Sequence, residues 1–449
     1  MYAKSFRNLV YVGLFFGGVN ADAIPKIQHW QTENGARVYF VEAHELPMVD
    51  IEVVFDAGSA RDDVHPGIAA FVNGLLDQGA GEWNADALAE GVARLGARLG
   101  NESSRDMATV SLRSLSAPPT LLTAGDFFAA VLSKPTFPQD AYERERSRTL
   151  TGIEEEDQSP ASVASKAFYR IAYGDHPYAH SPLGTRESLN AMTRQDLLDF
   201  YRRYYVGRNA VVALVGDLSR SDAESLVSRV VGGLPSGEPP ARLPPVKDLS
   251  KGMEEVLPFP SAQTHVMSGQ PVVYRGDPDY FPLYLGNHIL GGNGLISRIA
   301  DEVREKRGLA YSAYSQFSPM RLAGPFVMGF QTRNDQAEEA RRVLQQTLEK
   351  FVQEGPPQKE LQEAQKNVSG GFALRIDSNS KILGYLGMIG FYGLPLEYLD
   401  QFRTKIESVT VDQIREAFQR RLNPAYLATV VVGGFVKNVS SNPEPTTSH

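Results

Sequence analysis

The sequence predicts an α+β fold built as two related halves, and three observations carry that expectation. Strand-like alternation and helical periodicity follow one another without strict βα order. The stretch TRQDLLDFYRRYYVGRNAVVALVG from Thr193 returns as TVDQIREAFQRRLNPAYLATVVVG from Thr410, an offset of 217 residues, with both copies ending in glycine at Gly216 and Gly433. A period of that length means two copies of a domain, since solenoid repeats run about 20–50 residues. Between the copies lies a proline-rich stretch, 233–260, containing GLPSGEPPARLPPVKDL and ending in LPFP. Such composition reads as an extended tether. The expected layout is a signal peptide at 1–23, one domain at 24–232, the tether, a second domain at 261–438 and a disordered tail at 439–449.

Each element follows from local pattern. Lys4 and Arg7 precede an apolar run from Leu9 to Val19, and Ala21-Asp22-Ala23 offers small residues at both cleavage positions. That is a secretory signal, with cleavage expected after Ala23. The run is far shorter than the roughly 20 residues a bilayer requires. An exported chain without cysteine suits a periplasm. GARVYFVEA and MVDIEVVFDAG alternate as strands. Gly67 to Gly81, GIAAFVNGLLDQGAG, places Ile68, Phe71, Val72, Leu75 and Leu76 on one helical stripe. Asn84 caps a second helix running to Leu95. ATVSLRSL is a strand, Leu121–Leu132 and Asp140–Ile153 are helices, and AVVALVGDL is a strand. In the second half, ILGGNG from Ile289 answers LLDQGAG from Leu75. Ile296, Ile299, Ala300 and Val303 form a buried stripe there, closed by Gly308.

Composition narrows function. With 42% hydrophobic and 22% charged residues the chain is globular. A net charge of −8 argues against nucleic acid or an anionic membrane as partner. The absence of cysteine removes thiolate zinc sites and cysteine nucleophiles. No G-x-S-x-G, phosphate loop or dinucleotide fingerprint occurs, and GGNG at Gly291 reads as a tight turn. His176 and His180 stand four apart in HPYAH, but Pro177 makes that segment a loop and a metal role there is not expected. His44, His65, His265 and His288 have no ligand spacing.

The Gly67–Gly81 helix resembles the pitrilysin and insulinase family of inverzincin metallopeptidases. So do HPYAHSPLGTRESLNAM, FYRRYYVGRNAVVALVGD and GGNGLISRIADEVREKRGLAYS, and the resemblance spans about Trp30 to Gly434. It implies two homologous sandwiches of sheet and helices. In that family H-x-x-E-H supplies two zinc-binding histidines and a glutamate that activates water. The matching positions here are Ala70, Asn73 and Gly74, none able to do zinc chemistry. The family's third ligand, a glutamate about 76 residues on, falls at Thr151 or Gly152. Glu154, Glu155 and Glu156 nearby read as a solvated acidic turn. The small residues at 70 and 74 suggest another element packed closely across that face.

The resemblance implies a different site in the second half. There an arginine and a tyrosine seven residues apart project into the family's chamber and grip peptide carbonyls, and the matching residues are Arg304 and Tyr311. A guanidinium and a phenol both donate hydrogen bonds, as a carbonyl gaining charge requires. Read on spacing alone, the two are a helix arginine paired with Asp301 and a sheet tyrosine. The expected function is a catalytically inactive subunit that completes the chamber of a heterodimeric zinc endopeptidase and binds peptide substrates. Zinc would sit on a homologous partner carrying H-x-x-E-H, and no cofactor on this chain. The alternatives are a peptide-binding scaffold with no active partner, or a hydrolase with a relocated metal site.

Overall fold

The computed structural model describes residues 25–294 and 296–434. The expected signal peptide and the tail at 439–449 lie outside the described residues. The first half opens with strands β1 (Gln28–Gln31), β2 (Arg37–Glu42) and β3 (Met48–Phe55), then helix α1 (Ile68–Leu75). A small hairpin, β4 (Gly79–Ala80) and β5 (Trp83–Asn84), leads to α2 (Ala85–Arg94), β6 (Arg98–Ser103) and β7 (Ala108–Leu115). Helices α3 (Pro118–Ser133), α4 (Gln139–Asp157), α5 (Pro160–Tyr173), α6 (Arg186–Ala191) and α7 (Arg194–Tyr204) follow, then β8 (Ala210–Gly216) and α8 (Arg220–Val231).

The second half repeats the plan. It runs β9 (Met253–Pro258), β10 (Gln263–Val273), α9 (Tyr280–Asn287) and α10 (Arg298–Ala300), the last continued by a π turn at Asp301–Glu305. Then come β11 (Ser312–Phe317), β12 (Gly324–Arg333), α11 (Ala337–Glu354), α12 (Gln358–Gly370), α13 (Asn379–Tyr392), α14 (Tyr398–Ser408), α15 (Val411–Arg421) and β13 (Ala428–Gly433). The sheets order as β1-β2-β8-β3-β7-β6 and β9-β13-β10-β12-β11. Five strands correspond one to one, and among the described strands of both sheets the parallel pairing is the equivalent one, β2 with β8 and β9 with β13. Helices α3, α4 and α5 begin at 118, 139 and 160, and α11, α12 and α13 at 337, 358 and 379. The repeat read from one helix–strand pair therefore extends through the whole domain.

Local chemistry explains the frame. Thr193 and Thr410 each close a reciprocal capping box, with Asp196 and Gln413. Asn84 accepts from the Ala87 amide at 2.9 Å to start α2. One core fills the inner face of the first sheet beneath α1, α3, α7 and α8.

The outer faces are covered by exchange. Helix α5 of the first half packs on β10 and β13 of the second, and α13 of the second packs on β2, β8 and β3 of the first. Ala164, Ala167 and Phe168 bury against Val430 and Val432. Leu386 and Ile389 bury in one cluster with Tyr39, Val54, Val211 and Ala213. Gly390 permits that close approach, because a Cβ there would stand 2.4 Å from Val211.

One boundary needs correction. The tether ends before residue 260: Met253–Pro258 is strand β9, aligned parallel with β13. Its Met–Glu–Glu–Val–Leu alternation suits a sheet, and Pro258 sits on an edge strand, where a missing N–H breaks no ladder. The residues before it are extended but docked. The Ala241 carbonyl accepts from Arg61 at 2.6 Å, and Leu243, Val246 and Leu249 pack on α5's cluster. No helix among the described residues is long and apolar enough to cross a membrane.

Candidate functional site

Helix α1 is set in place at its N-terminus. The buried Asp62 carboxylate accepts from the Gly67 and Ala69 amides at 2.7 and 2.9 Å, satisfying two of the helix's free donors. Burial pushes the Asp62 carboxyl well up despite those bonds. Gly67 takes φ +98° against the Leu183 carbonyl, a position closed to a side chain. The expected stripe of Ile68, Phe71, Val72, Leu75 and Leu76 is buried throughout.

On the other face, Ala70 and Gly74 are half-buried and Asn73 is buried. The Asn73 amide donates to the Thr109 carbonyl at 3.2 Å and to the Tyr205 hydroxyl at 3.3 Å, while its own carbonyl accepts from Asn101 at 2.9 Å. Asn73 thereby pins α1 to β6 and β7. Close packing across Gly74 is not found. The nearest atom to a Cβ there would be Glu145 Oε1, at an ordinary 3.6 Å. Sequence reading passed over Glu145, although it lies one turn from Tyr142, whose ring packs 5.4 Å from Phe71. Burial raises the Glu145 carboxyl above its usual range, opposed by Arg148 and reinforced by Asp77.

That contact fixes the phase of α4. Gly152 lies two turns after Glu145 on the α1-facing side, and a Cβ at Gly152 would meet nothing within 4 Å. Thr151 is exposed and donates to the Ser147 carbonyl at 3.1 Å. Glu154, Glu155 and Glu156 belong to the last turns of α4, not to a separate turn. Glu154 pairs with Arg186, and Glu156 with Lys166 at 2.8 Å.

Zinc does not fit this face. A catalytic zinc needs three protein ligands and an open position, whereas the face offers two positions without a donor, one engaged carboxamide and two carboxylates, Glu145 and the neighbouring Asp77, one ligand short. Among the described residues no group of three or more His, Asp or Glu side chains is arranged to hold a metal. His176 is neutral in character. Its Nε2 donates to the Pro244 carbonyl at 2.9 Å, its Nδ1 accepts from the Tyr178 amide at 3.1 Å, and burial lowers its pKa.

The second site is assembled by a turn. Gly308, at φ +60°, donates to the Arg304 carbonyl at 2.8 Å, and Leu309 donates to Val303 at 2.9 Å. The chain thereby doubles back so that the Arg304 guanidinium lies 5.0 Å from the Tyr311 ring centroid. Tyr311 is 83% exposed, and the Arg304 guanidinium pairs with Glu305 at 3.4 Å. The Arg304–Asp301 pairing that spacing suggests does not form, because Asp301 pairs with Lys306 at 2.7 Å. Ile299, Ala300 and Val303 are buried, but Ile296 is 79% exposed. It precedes the Ser297 cap and so stands outside the helix whose stripe it was expected to join.

These arrangements have relatives. The insulinase (peptidase family M16) model matches residues 37–186, and the peptidase M16 inactive domain model matches residues 191–368. An uncharacterized zinc protease of Mycobacterium leprae is 27% identical over 373 residues, covering 81% of this chain and 82% of the relative. The non-peptidase homolog YmxG of Helicobacter pylori is 25% identical over 92% of this chain and 94% of its own length. A crystal structure of a peptidase M16 inactive domain from Pseudomonas fluorescens is 41% identical, with TM-score 0.89, covering 91% of this chain and 98% of that one. The chain belongs to the insulinase family, peptidase family M16.

Proposed function

We propose that this chain is a catalytically inactive member of its family, acting as the non-catalytic subunit of a heterodimeric zinc endopeptidase. One observation carries the reading: the α1–α4 frame is intact while Ala70, Asn73, Gly74 and Gly152 occupy the places where ligands and base would stand. The name of the Helicobacter pylori relative, a non-peptidase homolog, supports it. In this reading Arg304 and Tyr311 face the peptide bound in the partner's active site, and the exposure of the tyrosine suits a group that meets another molecule. The partner is a homologue carrying H-x-x-E-H and the zinc, and the pair degrades peptides in the periplasm. A scaffold that holds peptides without an active partner is the second reading, favoured by the same exposed pair.

Purifying the chain alone and together with such a homologue, then measuring bound zinc and peptide hydrolysis, separates them. The subunit reading expects neither zinc nor cleavage from this chain alone and enhanced cleavage from the pair. One tightly held zinc on this chain, with chelator-sensitive hydrolysis, refutes it. A pair no faster than the partner alone favours the scaffold.

A further inference from the structure

Beside α13, on the outer face of the first sheet, lies a cavity of about 210 Å³. Its walls are Met107 and Met388, Ser104 and Thr109, with Gly384 and Gly387 of α13, and it holds two carboxylates, Glu52 of β3 and Glu102 of β6. Gly387 makes room for the first, since a Cβ there would stand 2.7 Å from Glu52 Oε1. Only burial and the charge of Glu102 act on Glu52, and together they push its carboxyl up to about 7. No hydrogen bond or ion pair among the described residues compensates it. A charge taken from water without a partner is costly, so this carboxylate is suited to receive a cation from outside.

The walls say which cation. Lysine and arginine carry an apolar stem and a charged tip, and methionine side chains adapt to such a stem. The volume is below the roughly 300–1,000 Å³ of pockets that take whole ligands, and matches a single side chain. We infer that this cavity is a subsite for a lysine or arginine side chain of a bound peptide, with Glu52 receiving its charge and Glu102 adding to the attraction. The inference rests on the peptide-binding reading above and adds a preference to it.

Calorimetric titration of the mature chain with capped Ala-Ala-Lys-Ala-Ala and with the same peptide carrying norleucine tests it. At pH 8 the lysine peptide should bind at least tenfold more tightly. That advantage should fade as pH falls through about 7, where Glu52 takes up a proton. Glu52→Gln should abolish both the advantage and its pH dependence. Gly384→Leu should abolish the advantage by filling the cavity, because a Cβ at Gly384 meets nothing within 4 Å and the fold has room for it. Equal binding of the two peptides, or an advantage that survives both substitutions, overturns the subsite. If the peptides bind equally and Tyr311→Phe weakens both, the subsite fails and the peptide-binding reading stands. If neither peptide binds, the subsite fails, and cleavage by the reconstituted pair decides the subunit reading on its own.

Discussion

At the scale of single residues the chain is defined by what its side chains are already bonded to. Asn73 is spent on Thr109 and Tyr205, whereas Tyr311 is left open to solvent beside Arg304. In a reconstituted pair, Tyr311→Phe and Arg304→Ala should each lower kcat/KM at least tenfold, about 1.4 kcal/mol, with assembly and partner zinc unchanged. Wild-type rates from both variants would make the pair structural. Glu52 offers a test that needs no partner. Its folded-state pKa, about 7, is raised above the ordinary 4.5, so folding favours the protonated form. The stability it contributes is fully present below about pH 4.5 and is lost as pH rises through about 7. Denaturant melts of Glu52→Gln should therefore show a gain on the order of 1–3 kcal/mol at pH 8 and almost none at pH 4.5. A loss at pH 8 would mean that the carboxylate has a compensating partner. The helix that carries Ala70, Asn73 and Gly74 was legible in the sequence because its apolar period is a property of one short stretch. Glu145 and Glu52 were not, because their neighbours, Gly74 and Gly387, are far along the chain. Ile296 misled because apolar spacing does not reveal where a helix is capped.

At the scale of elements, the repeat was legible from one helix–strand pair because capping boxes and buried strands carry strong local signals. The exchange of α5 and α13 was not, since each helix buries its apolar side against a sheet in the other half, and periodicity shows burial without showing the partner. The glycines of α13 let this packing be probed. Gly390→Ala places a Cβ 2.4 Å from Val211 and should cost about 1–3 kcal/mol of overpacking, less roughly 1 kcal/mol regained from helix propensity. Gly384→Ala meets nothing within 4 Å and should be neutral or stabilising by up to about 1 kcal/mol. Equal melts for the two variants would mean that α13 does not sit tightly on the first sheet. The facing pair α1 and α4 sets a second test. Ala70→His, Asn73→Glu and Gly74→His together supply two ligands and a base, one ligand short. Adding Gly152→Glu, on the α1-facing side of α4, should raise zinc retained after dialysis, whereas Thr151→Glu should not. Stoichiometric zinc on the triple variant would show that a carboxylate already at this face, Glu145 or Asp77, serves as a third ligand.

At the scale of the whole molecule, the two halves are joined by more than the tether. Asp106, in the turn between β6 and β7, is 4% exposed. It accepts from the Tyr178 hydroxyl at 2.5 Å in the first half, and from the Tyr392 hydroxyl at 3.0 Å and the Arg321 amide at 2.7 Å in the second. Beside it, Asp56 holds Arg61 through two 2.7 Å bonds, and Arg321 approaches Asp56 at 3.5 Å. Burial and the Asp106 charge both push the Tyr178 and Tyr392 hydroxyls above the ordinary tyrosine range, so each remains a donor at neutral pH. A carboxylate that receives three donors is poorly replaced by an amide. In Asp106→Asn the oxygen can serve the Arg321 amide, but the nitrogen must face a hydroxyl, and Tyr178 already accepts from Leu322 at 3.3 Å. The expected loss is about 1–2 kcal/mol for Asp106→Asn. For Asp106→Ala it is about 3–5 kcal/mol, since three buried donors lose their acceptor. Because α5 and α13 each bury against the other half, urea unfolding should remain one transition that moves to lower denaturant. Two separated transitions in Asp106→Ala would show that the exchanged helices do not couple the halves, and that this carboxylate alone had joined them.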